Sequence, residues 1–337
     1  MNPVEVHGNS VEVHGGALDA MRRLFPDATQ PWVDLSTGIN PWPWPVRESH
    51  FEGFHRLPTQ EDHARCTESM AAAFESPEHA ILAAPGSELL IRLLPTVIAP
   101  RRVAILAPSY GDHARVWRAA GCEVVETPDP LAEADVADAV VICNPNNPDG
   151  RRFQPDEVEA AHRLLSTRGG WLVIDEAFAD LEPGLSRAQQ GGSDHLLMLR
   201  SIGKFYGLAG LRVGALLAPV EVLERMRALL GVWSVSPPAL AIAAAAYSDG
   251  AWQTATRCRL AEARRRLDQL LQDSQCRVVG GTDLFRYVEV TDARGLWRQL
   301  ARKGIYVRRF PWSSRHLRVG LPGNVGEARR LREALSP

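Results

Sequence analysis

The sequence predicts an α/β protein whose large domain is built on a mostly parallel central sheet, followed by a smaller α+β C-terminal domain. Three observations carry that expectation. From about residue 60 to 235, short apolar runs with little polar alternation take turns with stretches of helical spacing, the pattern of strands buried on both faces by covering helices. After Pro237-Pro238 the composition shifts to a long alanine- and arginine-rich helical region. A chain of 337 residues with 45% hydrophobic and 23% charged residues is also long enough for about two domains of ~150 residues each.

The elements follow in order. Residues 1–45 form an amino-terminal arm and small-domain segment, in which Val4-Glu-Val-His-Gly8 recurs as Val11-Glu-Val-His-Gly15; two copies do not make a repeat architecture. The arm runs through Leu35-Ser-Thr-Gly-Ile-Asn-Pro41 into Trp42-Pro-Trp-Pro45, whose prolines exclude helix and predict an extended path laid over a domain or a second subunit. The large domain, 46–235, opens with a helix over 61–75, a strand over 80–84 and a helix starting at Pro85-Gly86-Ser87-Glu88. Further strands are predicted over 102–107, 139–143, 171–174 and 196–199, with helices over 111–120 and 155–166 and an antiparallel partner strand over 211–217. In the small domain, 236–337, the helical region 239–272 is bent near Ser248-Asp249-Gly250, a turn signal. Strands over 284–290, 305–308 and 317–320 and helices over 294–303 and 326–335 complete it.

A net charge of -2 provides no basic field, so neither nucleic acid nor an anionic membrane is an expected partner. Five cysteines, widely spaced and without a CxxC pair, indicate no disulfide framework and no metal site, which fits a reducing cytoplasm. The amino terminus lacks the pattern of a secretory signal, and no run of about 18 apolar residues occurs.

Chemistry-bearing residues collect at successive strand ends, which is where open α/β sheets bind ligands. In Ser201-Ile-Gly-Lys-Phe-Tyr-Gly-Leu-Ala-Gly-Leu-Arg-Val-Gly214, Lys204 stands between Ser201 and Arg212 just after an apolar strand. These three can meet around one phosphorylated aldehyde, or Lys204 is a surface lysine in a glycine-rich loop. Gly86, Ser87 and Glu88 open a helix whose free N–H groups favour an anion, unless Ser87 is a simple cap. Tyr110 either stacks on an aromatic ligand or belongs to the core. The proline-stiffened turn Asn144-Pro-Asn-Asn-Pro-Asp-Gly150 holds Asn147 as a hydrogen-bond donor. Asp175 ends the apolar strand Trp171-Leu-Val-Ile174, where an unpaired carboxylate is costly. It requires a partner such as a cationic ring nitrogen, or else it caps the following turn.

Taken together, Gly-Ser-Glu, Pro-Ser-Tyr, NPNNPDG, IDEAF, SxxK and GLAGLRVG resemble the fold type I pyridoxal-5'-phosphate enzymes, the aspartate aminotransferase superfamily, in its histidinol-phosphate aminotransferase-like branch. The resemblance spans nearly the whole chain. It implies pyridoxal 5'-phosphate as cofactor, Lys204 as its covalent anchor, Asp175 on the pyridine nitrogen, Asn147 on the phenolic oxygen and Tyr110 on the ring. Ser87, Glu88 through backbone N–H groups, Ser201 and Arg212 would form the phosphate cup, and Arg318 would grip a substrate carboxylate. On residue chemistry alone Arg318 reads equally as an exposed strand residue.

Finer features are similar to the threonine-phosphate decarboxylases of cobalamin biosynthesis: His14-Gly-Gly16, Leu35-Ser-Thr-Gly-Ile-Asn-Pro41, Trp233-Ser-Val235 and Gly280-Gly-Thr-Asp-Leu-Phe285. That family converts L-threonine O-3-phosphate to (R)-1-aminopropan-2-ol O-2-phosphate and carbon dioxide. The resemblance implies a cytoplasmic homodimer acting on a small phosphorylated amino acid. Candidates to anchor the substrate phosphate are His14, the backbone of Gly38 to Asn40, Arg308 and Arg309, although His14 reads almost equally as an arm histidine capped by its neighbouring glycines. Which substrate bond stands perpendicular to the cofactor ring then decides between decarboxylation and transamination. The alternatives are a histidinol-phosphate or related aminotransferase and a non-catalytic cofactor-binding regulator. Three departures from the wider superfamily stand out: Phe178 replaces a tyrosine that donates to the cofactor oxygen, Leu57 replaces a tyrosine that reaches the neighbouring subunit's cofactor phosphate, and Asp149 replaces the usual threonine of the NPNNPDG turn.

Overall fold

A computed structural model of the chain describes residues 15–274 and 276–336. The strands are β1 (Val33–Leu35), β2 (Ile81–Ala84), β3 (Arg102–Leu106), β4 (Glu123–Thr127), β5 (Ala139–Cys143), β6 (Trp171–Asp175), β7 (Leu196–Ser201), β8 (Gly214–Leu217), β9 (Arg277–Thr282), β10 (Phe285–Glu289), β11 (Ile305–Arg309) and β12 (His316–Gly320). The α-helices are α1 (Leu18–Leu24), α2 (Gln60–Phe74), α3 (Ser87–Ile98), α4 (Gly111–Ala119), α5 (Pro155–Thr167), α6 (Val220–Leu230), α7 (Pro237–Tyr247), α8 (Gly250–Asp273), α9 (Ala293–Arg302) and α10 (Val325–Leu335).

The large sheet has seven strands in the order β2-β8-β7-β6-β5-β3-β4. Strands β4, β3, β5, β6 and β7 pair in parallel, while β8 runs antiparallel to both β7 and β2, as expected for the stretch after the glycine-rich loop. The apolar runs have a simple cause. Along β5, Val140 and Ile142 enter one core while Ala139 and Val141 enter the core on the opposite face, so every position of the strand is apolar. Edge strand β4 reads differently because it is not buried: Glu123 and Glu126 are exposed, and no apolar run announces it. Strand β9 is likewise an edge, with Gly280 and Gly281 in a strand where glycine is depleted. Neither β4, β9 nor the amphipathic α6 is visible as a strand or helix in the apolar pattern.

The small sheet has the order β1-β11-β12-β10-β9. Its outer strand β1 comes from the amino-terminal segment and pairs in parallel with β11, Val33 opposite Ile305. The helical region after residue 236 is two helices rather than one bent helix, with Asp249 capping α8 through Trp252 N–H. Helix α7 is apolar on all sides and packs on α2 of the large unit, so the residues just after 235 remain with the large sheet, and the chain passes to the small unit along α8, which packs on β9 and β10. Trp42 and Trp44 lie along the arm as predicted: Trp44 is buried, and Trp42 donates its indole N–H to Gly323 O at 2.8 Å.

A buried ionic cluster stands directly behind the ends of β6 and β7. Arg200 donates to Glu176 Oε2 at 2.9 Å and to Asp180, and all three residues are at most 5% exposed. Ser186 Oγ and Arg187 N donate to the two oxygens of Glu176 at 2.6 and 2.8 Å, and the Arg200 guanidinium lies 4.3 Å from the centre of the Phe74 ring. The cluster clamps two strand ends to each other. Replacing Arg200 by leucine strands two carboxylates in the core and is expected to lower unfolding free energy by about 3–5 kcal/mol; urea denaturation of the two proteins measures the difference.

Candidate active site

The carboxyl ends of β3, β5, β6 and β7 and the first turns of α3 and α4 open into a cavity of about 860 Å³, closed from the other side by the small unit. Ser87, Glu88, Tyr110, Asn147, Asp175, Ser201, Lys204 and Arg212 line it from the large unit. Arg308, Phe310, Trp312 and Arg318 line it from the small unit, together with Gly15, Thr37 and Gly38.

Lys204 lies three residues beyond the end of β7, partly buried, in a loop tied down through its own carbonyl, which accepts Asn40 N–H at 3.0 Å and Gly207 N–H at 3.2 Å. Burial, and then the positive charge of Arg318, lower the Lys204 pKa to about 8, so a nucleophilic neutral amine is accessible near neutrality. Asp175, at the end of the neighbouring strand β6, lines the same cavity and is 7% exposed. Its Oδ1 accepts Ala177 N–H at 3.0 Å and its Oδ2 accepts His113 Nε2–H at 3.0 Å, with the Cys143 thiol at 3.9 Å.

His113 was not among the residues singled out from the sequence. It follows Tyr110 by three residues, which places both on one face of the first turn of α4, and that spacing is the only signal it carries. Burial alone would lower its pKa, but Cys143 and the Asp175 hydrogen bond outweigh that and raise it to about 10. Asp175 is thus held beside a cationic imidazole, with an edge still facing the cavity.

The turn bearing Asn147 shows why one asparagine of three is presented. Asn144 is consumed by Phe153, accepting its N–H at 3.1 Å and donating to its carbonyl at 3.0 Å. Asn146 donates to Pro108 O at 3.0 Å and to Asp149 Oδ1 at 2.7 Å. Asn147 accepts from Arg318 Nη1 at its Oδ1, which leaves its amide N–H groups for the cavity.

An anion cradle occupies the start of α3. Gly86 is its N-cap, no side chain caps the helix, and the exposed Arg212 lies over the turn with its Nη2 2.6 Å from where a Gly86 Cβ would stand. A side chain at Gly86 would displace the guanidinium. Free helix N–H groups, Ser87, Ser201 and Arg212 suit a phosphate. The Glu88 side chain turns away to Arg92 at 2.8 Å, leaving its backbone for the cradle. Tyr110 is half-buried and donates to Asp112 Oδ2 at 2.9 Å. Phe178 packs edge-on against Phe285, and the Lys204 amine stands 5.9 Å from its ring centre, so no hydroxyl arises there.

In the small unit, Arg308 and Arg318 are register partners on β11 and β12, both buried at the cavity. Arg318 donates to Asn147 Oδ1 and, at 2.7 Å, to Ser36 O, and lies 4.9 Å from the centre of the Phe285 ring; burial beside Arg308 lowers its pKa. Two of the substrate candidates are corrected. Arg309, the next residue on β11, points to the opposite face and lies over Trp297, 5.5 Å from the ring centre, because adjacent strand residues alternate. Asn40 does not line the cavity: its backbone N–H donates to Lys204 O at 3.0 Å, and its buried side chain donates to Phe205 O at 2.8 Å and accepts Trp42 N–H at 2.9 Å, so it braces the lysine loop instead. Gly38 lines the cavity with Phe285 and Phe178 packed close to its α-carbon, whereas His14 lies outside the described residues.

The Aminotransferase class I and II family matches residues 31–335. Over 324 residues the chain is 38% identical to a threonine-phosphate decarboxylase of Pseudomonas aeruginosa, covering 96% of each protein. It is 40% identical over 333 residues to one of Sinorhizobium sp., covering 96% of this chain and 97% of that protein. The fold superposes on a histidinol-phosphate aminotransferase of Sinorhizobium meliloti in complex with pyridoxal-5'-phosphate with a TM-score of 0.81 at 18% identity, covering 94% and 93% of the two chains.

The raised pKa of His113 gives a pH-dependent prediction. Its ordinary value is 6.5 and its folded value about 10, so the charged pair with Asp175 stabilises the fold fully below pH 6.5 and is lost as pH rises through about 10. The stability difference between wild type and His113→Asn, measured by denaturation of the cofactor-free proteins, should shrink from pH 6.5 to 10.

Proposed function

The chain belongs to the class I and II aminotransferase family, and on that premise we propose that it is a pyridoxal 5'-phosphate-dependent decarboxylase of L-threonine O-3-phosphate, releasing carbon dioxide and (R)-1-aminopropan-2-ol O-2-phosphate for cobalamin biosynthesis. The residues present fit the cofactor. An anion cradle at α3, a buried carboxylate on β6 and a lysine beyond β7 face one cavity, which matches a phosphate, a ring nitrogen and an aldehyde. When bound, the cofactor supplies an electron sink for the bond-breaking step.

The observation that carries the substrate reading is the pair Arg308 and Arg318, directly opposite each other on neighbouring strands and both at the cavity. Two guanidinium groups at that position match a substrate with two anionic groups, a carboxylate and a phosphate. In this reading Arg318 holds the carboxylate and Arg308 the phosphate. Anchoring the remote phosphate fixes which substrate bond is broken, so binding energy far from the reacting centre is used for orientation. Asp175 keeps the proton at the ring nitrogen, itself held by His113; Asn147 donates its amide N–H; Lys204 anchors the cofactor, and its lowered pKa suits it to move a proton at the reacting carbon.

Phe51, Phe54, Leu57, Val232 and Trp233 are exposed, and the two segments that carry them adjoin where Gly53 packs on Pro237. An apolar surface of this kind supports a homodimer.

Two outcomes test these readings. Purified enzyme given threonine phosphate should release carbon dioxide with no 2-oxoacid present, and Lys204→Ala should abolish both turnover and the visible absorbance of the bound cofactor; an obligatory amino acceptor would instead indicate an aminotransferase. In sedimentation, the double variant Phe54→Asp, Trp233→Asp should shift the protein from dimer to monomer.

A further inference from the structure

The motif Gly280-Gly281 in β9 has no part in the chemistry above, yet its backbone meets the turn that carries Asn147. Gly281 N–H donates to Asp149 O at 2.7 Å. A methyl group built on Gly280 would overlap the Asp149 carbonyl oxygen, and one on Gly150 would overlap Gly281 O, both well inside the 3.0 Å that Cβ atoms essentially never breach. Arg152 brackets the contact, donating from Nη1 to Gly150 O at 2.6 Å and to Gly281 O at 3.4 Å while its Nε is held by Glu182 at 2.6 Å.

The register links this contact to the cavity. Gly280 stands opposite Tyr287 on β10, and Tyr287 stands opposite Arg318 on β12. One row across three strands therefore carries Gly280 at one end and Arg318 at the other. The same short turn is met at both ends of the row, at Asp149 by the hydrogen bond from Gly281 with Gly280 packed against it, and at Asn147 by Arg318. The β9–β10 register shifts between Tyr287 and Val288, the kind of irregularity that re-aims a strand.

We infer that Gly280 and Gly281 are positioning residues for the substrate-carboxylate clamp: their backbone-to-backbone contact with the Asp149-Gly150 turn sets how closely Arg318 approaches Asn147. The inference rests on the role proposed for Arg318 above. Gly280 is the sharper site, because its φ is not in the left-handed region and a methyl there acts only as a wedge. The wedge opens the contact by about 1 Å, and misplacement on that scale costs on the order of 10²-fold at a reacting constellation.

The experiment compares holoenzyme carrying Gly280→Ala with wild type and with Gly184→Ala, whose added methyl meets nothing within 4 Å. The dissociation constant and KM of threonine phosphate, the affinity for pyridoxal 5'-phosphate and the thermal midpoint are read for each. Gly280→Ala should raise the substrate constants at least tenfold while cofactor affinity, held mainly at Lys204, Asp175 and the α3 cradle and only in part at Asn147, falls by a clearly smaller factor; Gly184→Ala should change neither. Unchanged substrate constants, or cofactor affinity falling by the same factor, would overturn the inference. Should Gly280→Ala not fold, Arg152→Ala, which removes the bracket without adding bulk, should show the same split, and its absence there counts equally against the idea. A wild type that binds threonine phosphate without releasing carbon dioxide sinks the proposed activity alone, since the ratio of dissociation constants still decides the positioning role.

Discussion

A carboxylate placed at the end of a fully buried strand is the constraint around which this site is arranged. Asp175 cannot be solvated where β6 leaves it, and a lone buried charge is costly. The protein meets part of that demand itself with His113 and the Ala177 N–H, and leaves one edge open to the cavity. Under the proposed function, a cationic ring nitrogen completes the arrangement. Behind it, the Arg200 cluster joins the Asp175 loop to the strand that leads to Lys204, so the two groups that face the ligand are fixed to one frame.

The second half of the site is built on the small sheet, and it obeys a different rule. Strand alternation places Arg308 in the cavity and Arg309 over Trp297, so neighbouring arginines with the same chemistry have unrelated surroundings. Arg318 joins the halves by donating to Asn147 and thereby turns the asparagine's amide toward the ligand. Under the proposed function, the cofactor and substrate sides of the cavity meet in that one hydrogen bond.

How much of this was legible beforehand follows from the same physics. Strands with both faces buried wrote themselves as apolar runs; at their ends Asp175 stood out because a charge there is expensive, Asn147 through its proline-stiffened turn and Lys204 through its place between Ser201 and Arg212. Edge strands β4 and β9 have a solvated side and no such signature. A lone histidine in a helix says nothing until its neighbour across the sheet is known, which hid His113. Arg309 was reasonable as a ligand contact by residue type and Asn40 by its backbone in the arm; only their partners, Lys204 and Phe205 for one and Trp297 for the other, reveal that one is a brace and the other lies on the far face. Nothing in composition distinguishes these cases.

The edge strand β4 has one further effect. Its exposed Glu123 and Glu126 border the last row of unpaired backbone groups in the large sheet, and charge on an edge strand discourages another chain from adding to it. Strand addition is disfavoured at that margin even when the protein is crowded, so this edge of the large sheet is guarded by the same two glutamates that keep β4 from reading as an apolar run.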